Sequence, residues 1–306
     1  MIEKSETENS SAKLSVVVVS PYSHAMLRKC LESILASVKQ DKIEVLVSDC
    51  CADEVVSDLI QKYPDVNFLE FPGKSGIPAL AAAGIEKACG EIVALTDSSC
   101  MVESNWVSSI LTAHQMPSQV IGGAVEIPGP MKPLDWAAYF CEYGQFAYPL
   151  KSGTVDALPG NNISFKRSVL AVKSEYAKKE FWKTYWCREL QAKGVELISE
   201  PSILVYYTKE FKLFSFLSRR FDHGRCFAGM RTKQIRFSER LIYVAGSFFL
   251  PFVFLYRTTV SVLSKKRFLK EFLLSFPFIV LAILFWSFGE IWGYLAGEGK
   301  SCDYIC

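Results

Sequence analysis

Apolar residues along this chain fall into two alternating rhythms. Residues 14–19, 43–47, 66–71 and 91–95 form short, nearly continuous apolar runs, the pattern of strands buried on both faces. After each run the apolar positions recur at helical spacing. Met26, Leu27, Cys30, Leu31, Ile34 and Leu35 follow the first, Val55, Val56, Leu59 and Ile60 the second, the alanine-rich stretch 78–88 the third, and a segment over 106–114 the fourth. Breaks separate them at Pro21-Tyr22-Ser23, at 49–53 and in the Gly/Pro-rich loop before Pro78. Repeated strand–helix units predict an α/β fold, a mostly parallel sheet with helices on both faces, because right-handed crossovers leave few other arrangements.

The texture changes near Val120. A strand over 120–127 leads through a Pro/Gly-rich stretch to an aromatic segment, 136–148, and then to Leu158-Pro159-Gly160-Asn161-Asn162-Ile163-Ser164-Phe165-Lys166-Arg167. A helix over about 181–193 follows, stopped by Gly194, with short strands near 196–199 and 203–207. This half is expected to close the same sheet and form the second wall of a cleft.

Segments 241–256 and 272–289 are nearly free of charge and about as long as a short bilayer crossing, which takes roughly 20 residues. The first contains Pro251 and is followed by Arg257, so a span, a kinked span and an interfacial helix all fit it. Two buried core helices would read the same way. Arg231, Lys233, Arg236 and Arg240 precede the first segment, and Lys265, Lys266, Arg267 and Lys270 lie between the two. The positive-inside tendency places both clusters in the cytosol, which a re-entrant or surface-lying first segment satisfies and a simple hairpin does not. The expected organisation is a disordered lead-in over 1–13, a folded domain over 14–238, a membrane-associated helical segment over 239–299 and a short tail over 300–306.

Half of the 306 residues are hydrophobic and the net charge is +2. With no basic cluster interleaved with aromatics in the first two-thirds, nucleic acid is not an expected partner. Ten cysteines occur without a CxxC pair or metal-ligand spacing, and no secretory-type leader opens the sequence, so reduced thiols in a cytosol-facing domain are expected. Three widely separated histidines argue against a histidine metal centre, and a missing GxGxxG turn argues against a dehydrogenase.

The chemistry gathers at strand ends. In open α/β sheets ligands bind outside the carboxyl ends of the strands, and Asp97 follows the apolar run 91–95 there, as Asp49 follows the second run. A diphosphate at that edge needs charge compensation, commonly a divalent metal clamped between carboxylate and phosphate. Asp49 lies where an acid can accept hydrogen bonds from a base or ribose. Either acid alone could equally cap a helix.

Taken in order, these residues resemble a known family. Pro21-Tyr22 after the first strand, Asp49 after the second, Gly73-Lys74-Ser75-Gly76 before the alanine-rich helix, Ala88-Cys89-Gly90-Glu91 before the fourth strand and Asp97 after it are similar to a family-2 glycosyltransferase with the GT-A (Rossmann-like) fold. The segment 160–167, the stretch Arg220-Phe221-Asp222-His223-Gly224-Arg225-Cys226-Phe227-Ala228-Gly229 and the tail Trp286-Ser287-Phe288-Gly289-Glu290 with Gly293-Tyr294 resemble a bacterial, membrane-attached type. The resemblance implies transfer of a sugar from a nucleotide-diphosphate sugar to a lipid-linked or polysaccharide acceptor, with Mg2+ or Mn2+, at the inner (plasma) membrane with the catalytic domain cytosolic. It implies a donor site of Pro21, Tyr22, Asp49, Lys74, Asp97 and Ser99, with the metal beside Asp97 and Ser99, and an acceptor side of Asn161, Asn162 and Arg225. A QxxRW-type stretch is missing, which implies single transfer.

Two departures mark the chain. Where the family commonly carries a DxD-like cluster, this sequence has Asp97-Ser98-Ser99, so a hydroxyl replaces one acid. Where inverting members place a general base at the start of the helix before Gly194, this sequence has Trp182-Lys183. A lysine with an ordinary pKa of about 10.4 holds its proton at neutral pH, and loss of a general base costs about 10²- to 10⁴-fold in rate. Glu180 is a nearby substitute two residues early, and Lys183 is suited instead to neutralising a phosphate. The candidate catalytic set is Asp97, Glu180 and Lys183. The alternative is a catalytically degenerate GT-A subunit that binds or regulates partner subunits of a surface-polysaccharide pathway.

Overall fold

The computed structural model describes residues 12–21, 23–38, 42–50, 55–71, 75–171, 174, 177, 180–233 and 235–304. Strand–helix units open the fold: β1 (Leu14–Ser20), α1 (His24–Ser37), β2 (Ile43–Asp49), α2 (Val55–Lys62), β3 (Val66–Glu70), α3 (Ile77–Lys87) and β4 (Ile92–Asp97). There follow β5 (Cys100–Val102), α4 (Trp106–Ala113), β6 (Val120–Glu126), α5 (Pro133–Glu142), β7 (Gly153–Val155), β8 (Ile163–Lys166), α6 (Lys183–Ala192) and β9 (Leu197–Tyr207). Four helices close the chain: α7 (Leu213–Thr232), α8 (Phe237–Ser247), α9 (Leu250–Lys265) and α10 (Leu269–Ala296).

Among the described residues nine strands make one sheet, ordered β3-β2-β1-β4-β8-β6-β9-β5, with β7 paired to β9. β1 to β4, β6 and β9 run one way and β5, β7 and β8 the other. β1 is central because both of its faces are apolar. Leu14, Val16 and Val18 pack with Leu27, Leu31 and Ile34 of α1 and Trp106 and Ile110 of α4. Val17 and Val19 pack with Leu80 and Ile85 of α3 and Trp186 and Leu190 of α6. At Gly84 α3 touches the sheet so closely that a Cβ would lie 2.3 Å from Val17.

Three strands carry no readable periodicity. β5, β7 and β8 are three or four residues long, shorter than the window in which alternation registers. The two strands expected near 196–199 and 203–207 are one, β9, because its pairing with β6 slips register between Gly122 and Ala124 and so carries the strand past Pro201-Ser202. The Arg-rich stretch before the membrane-like segments is the 20-residue helix α7. One pair of thiols corrects the expectation of reduced cysteines: Cys226 of α7 and Cys302 of a C-terminal turn form a disulfide, while Cys30, Cys50, Cys89, Cys100, Cys141 and Cys187 are free.

The first membrane-like segment is broken: α8 and α9 meet at a 57° bend. The second, α10, is long and apolar enough to cross a bilayer, yet one face is docked on the domain along its length of about 42 Å. Near its start, Arg267 forks onto Glu126 at 2.9 and 3.0 Å, and Phe272 meets Phe140 of α5. Ala282 packs with Ala138 and Phe216 midway. Further on, glycines let α10 and α7 touch backbone to backbone: a Cβ at Gly289 would lie 2.1 Å from the Phe221 carbonyl, at Gly293 2.4 Å from that of Arg225, and at Gly224 2.2 Å from that of Trp286. The other face of α10 exposes Leu273, Leu274, Phe288, Trp292 and Leu295.

Helix propensity favours alanine over glycine by about 1 kcal/mol. Gly289→Ala is nevertheless expected to lower the thermal midpoint of the full chain, because its methyl meets backbone, whereas Gly246→Ala in α8, where a Cβ meets nothing within 4 Å, leaves it unchanged or raises it. Thermal unfolding of both variants in one detergent decides this. A second prediction concerns His114, at the end of α4, whose Nε2 lies 2.9 Å from Ser164 Oγ. Burial, then the Lys166 charge, lowers its pKa from the ordinary 6.5 to about 4. The folded state thus disfavours the protonated ring. The stability this gives is present above pH 6.5 and is lost as pH falls toward 4, up to about 3 kcal/mol. His114→Gln is expected to flatten the fall in midpoint across that window, and an unchanged slope would contradict the assignment.

Candidate functional site

β1 lies between β2 and β4 in a register that pairs Ser20 with Asp49 and Val19 with Asp97. Each acid is the last residue of its strand, so the two carboxylates flank the end of β1, two strand spacings or about 10 Å apart. Asp49 is 2% exposed, and its Oδ2 lies 3.0 Å from Nε2 of His24, the first residue of α1. Among the described residues its other oxygen, Oδ1, has no hydrogen-bond partner, and neither does Ser20 Oγ or Ser98 Oγ, all buried at this edge. A buried polar atom left unpaired costs about 1–3 kcal/mol, so three together mark a place built for something else to bond.

Asp97 is 7% exposed. Ser99 donates to its Oδ1 twice, from the backbone N–H at 2.8 Å and from the hydroxyl. Burial pushes the carboxyl above its ordinary pKa against the pull of those bonds and of the Lys209 cation. Among the described residues no three His, Cys, Asp or Glu side chains cluster to hold a metal. A hard divalent ion needs one or two carboxylates plus phosphate oxygens, and Asp97 meets that minimum. Ser99 is turned onto Asp97, so the two side chains expected beside the metal lie together. Pro21 follows β1 at the same edge, while Tyr22 and Lys74 lie outside the described residues. Thr208 bonds the Ser99 carbonyl from both its N–H and its hydroxyl at 2.8 Å, and helps line a cavity of about 450 Å³ with Pro130, Lys132 and Asp135.

The second wall carries a cleft of about 420 Å³ among Leu158, Gly160, Lys183, Arg188, Arg220 and His223. Lys183 opens α6, donates from Nζ to the Leu158 carbonyl at 2.5 Å, and has its pKa lowered by burial. The Glu180 carboxylate accepts from Trp182 Nε1 at 2.8 Å.

Three residues expected on the acceptor side are placed differently. Asn162 is 1% exposed, with its amide donating to the Ala124 and Ile203 carbonyls at 2.8 and 2.9 Å and its oxygen accepting from Trp106 Nε1 at 2.9 Å. It ties β6, β8 and β9 together, with both of its amide N–H groups taken. Asn161 is also buried, donating to Cys100 Sγ at 3.2 Å, with Oδ1 unpartnered among the described residues. Arg225 turns to the C-terminal end, donating from Nε to the Gly297 carbonyl at 3.1 Å. Arg220 and His223, three apart and hence on one helix face, reach the cleft instead; Arg225, five from Arg220, lies on another. That spacing was the available signal, and it has meaning only once α7 is known to be a helix. The aromatic cluster at the start of α6 is core: Trp186 is fully buried against Phe165 and Phe181.

Comparison with known proteins gives this arrangement a context. The profile of a family described as "Glycosyl transferase family 2" matches residues 15–171, just over half of the chain. No curated protein matches significantly. Among solved structures, mannosyltransferase PcManGT from Pyrobaculum calidifontis, in complex with GDP-Man and Mn2+, superposes with a TM-score of 0.57 at 14% identity, covering 92% of this chain and 88% of that one. S. aureus TarS 1-349 in complex with UDP-GlcNAc superposes with a TM-score of 0.48 at 15% identity, covering 65% of this chain, which spans 59% of the TarS fragment.

Proposed function

The chain belongs to glycosyl transferase family 2, and on that premise we propose that it moves a sugar from a nucleotide-diphosphate donor to an acceptor presented at a membrane surface. The observation that carries this reading is the set of unpartnered buried groups at the carboxyl edge of β1, β2 and β4. In the proposed pose Asp49 Oδ1 accepts from the base or ribose, held in place by His24, and Asp97 faces the diphosphate. Asp97, together with the donor's phosphates, would hold a Mg2+ or Mn2+, which would supply positive charge against the leaving group. The acceptor hydroxyl attacks the anomeric carbon as the nucleoside diphosphate departs. Glu180, oriented by Trp182, is assigned the proton of that hydroxyl, and Lys183, already a hydrogen-bond donor, the charge of the acceptor.

We further infer that the protein lies on the bilayer rather than through it. A helix whose start, middle and end all touch the folded domain has no length left with which to reach the far side. What α8, α9 and α10 expose is an apolar face containing Leu241, Ile242, Phe248, Phe252, Tyr256 and Leu273, and basic residues flank it in sequence. With both basic clusters on one side, the positive-inside tendency keeps the domain cytosolic.

Full-length protein given UDP-, GDP- and dTDP-sugars, Mn2+ and a lipid extract is expected to release nucleoside diphosphate with one donor, and Asp97→Ala to lower that release by about 10²-fold or more. Nucleotide binding without release for every donor would favour the binding-only subunit. For the membrane mode, Lys270→Cys and Lys300→Cys, at opposite ends of α10, are expected to react with an impermeant maleimide from the same side of sealed vesicles, scored against the unsubstituted chain. Labelling from opposite sides would contradict surface attachment.

A further inference from the structure

Lysines are seldom buried unless their charge is answered, and Lys209 is 7% exposed, the least of any lysine among the described residues. Its place follows from the sheet. β5 and β9 pair antiparallel with Cys100 opposite Tyr207, and the pairing runs on past both strands, where Thr208 bonds the Ser99 carbonyl from its N–H and its hydroxyl. One more step along each segment sets Lys209 at the level of Ser98, beside Asp97. The backbone beyond is pinned as well, with the Phe211 N–H donating to Asp135 Oδ1 at 2.7 Å. Between these anchors the Lys209 ammonium lies 4.9 Å from the centre of the Phe211 ring.

Two groups feel this charge. Burial raises the Asp97 carboxyl above its ordinary pKa, and Lys209 is among the groups that draw it back. Burial lowers that of His223 to about 3, with Arg220 and then Lys209 adding to the effect. The ammonium therefore lies within electrostatic reach of both the strand edge assigned to the donor and the cleft on the second wall. Ser98 Oγ, buried at the same level, has no partner among the described residues. As the sugar leaves, the diphosphate gains negative charge beside a carboxylate that already carries one. A cation held in place and shielded from water offsets that charge with no rearrangement at the moment of reaction.

We propose that Lys209 is a catalytic residue of the transferase, its ammonium bonding the donor's diphosphate and taking up the charge that develops as the sugar departs. This deepens the donor reading given above and rests on it. The bond between the anomeric carbon and the phosphate oxygen breaks with its electron pair on that oxygen. The acceptor oxygen bonds the carbon and gives its proton to Glu180. Lys209 keeps its own proton throughout and acts by charge and hydrogen bonding.

Calorimetry on the full-length protein in EDTA, with UDP, GDP and dTDP each set against its monophosphate, separates the second phosphate from any metal. In the parent chain the diphosphate is expected to bind about 10- to 100-fold more tightly than the monophosphate of the same base, the size of one or two charge-assisted hydrogen bonds. Lys209→Met is expected to erase that gap and leave monophosphate binding as it was, and Lys209→Arg to keep most of it. Equal binding of the two by the parent chain, or a gap that survives Lys209→Met, would overturn the assignment. So would a variant that weakens both ligands equally, the result expected of a lysine that only steadies Asp97. If Lys209→Met strands a buried carboxylate and fails to fold, Asp97→Asn with and without Lys209→Met makes the same comparison with that carboxylate neutralised. A parent chain that binds none of these nucleotides overturns the transferase reading itself, and the assignment with it.

Discussion

A carboxylate buried at the end of a strand must be compensated, and how this is done at Asp97 sets the rest of the site. Ser99 wraps back to bond one oxygen twice and Lys209 contributes charge from beyond β9. These groups hold the acid in place without spending the whole edge. Two strands away, His24 does for Asp49 what Ser99 does for Asp97, fixing one oxygen, and among the described residues Asp49 Oδ1 is left open. The apolar layers on both sides of β1 make this possible, because they bring the ends of β1, β2 and β4 to the same level.

The helix α7 joins chemistry to surface. One face carries Arg220 and His223 into the cleft, while Gly224 and the facing Gly289 and Gly293 let α10 lie against its backbone. The glycines of the stretches that resemble membrane-attached relatives are thus explained by packing. A larger residue at any of the three would lift α10 away. The disulfide from Cys226 to Cys302 ties the C-terminal turn to the same helix, next to the Arg225 bond with Gly297.

Much of this was readable from the chain. The continuous apolar runs and helical rhythms of the first hundred residues locate β1 to β4 and their helices within a residue or two, and the acids at 49 and 97 stand out as polar ends of apolar runs. What escaped reading depends on distant partners. Asn162 looks like a hydroxyl reader after a Pro-Gly turn, but Trp106, Ala124 and Ile203 claim its amide from three other segments. Arg225 looks equivalent to Arg220 until the helix turns them apart. β8 was hidden because its four residues are read first as a motif, and the Cys226 pairing because its partner lies 76 residues away.

The central claim is that the donor sits at the carboxyl edge of β1, β2 and β4 and not in the cationic cleft. A crystal structure of the full-length protein with a bound nucleoside diphosphate tests it most directly. The account predicts the base or ribose within hydrogen-bond distance of Asp49 Oδ1 and the diphosphate beside Asp97. A nucleotide found with its phosphates on Arg220 and Lys183, and nothing bonded to Asp49, would contradict it.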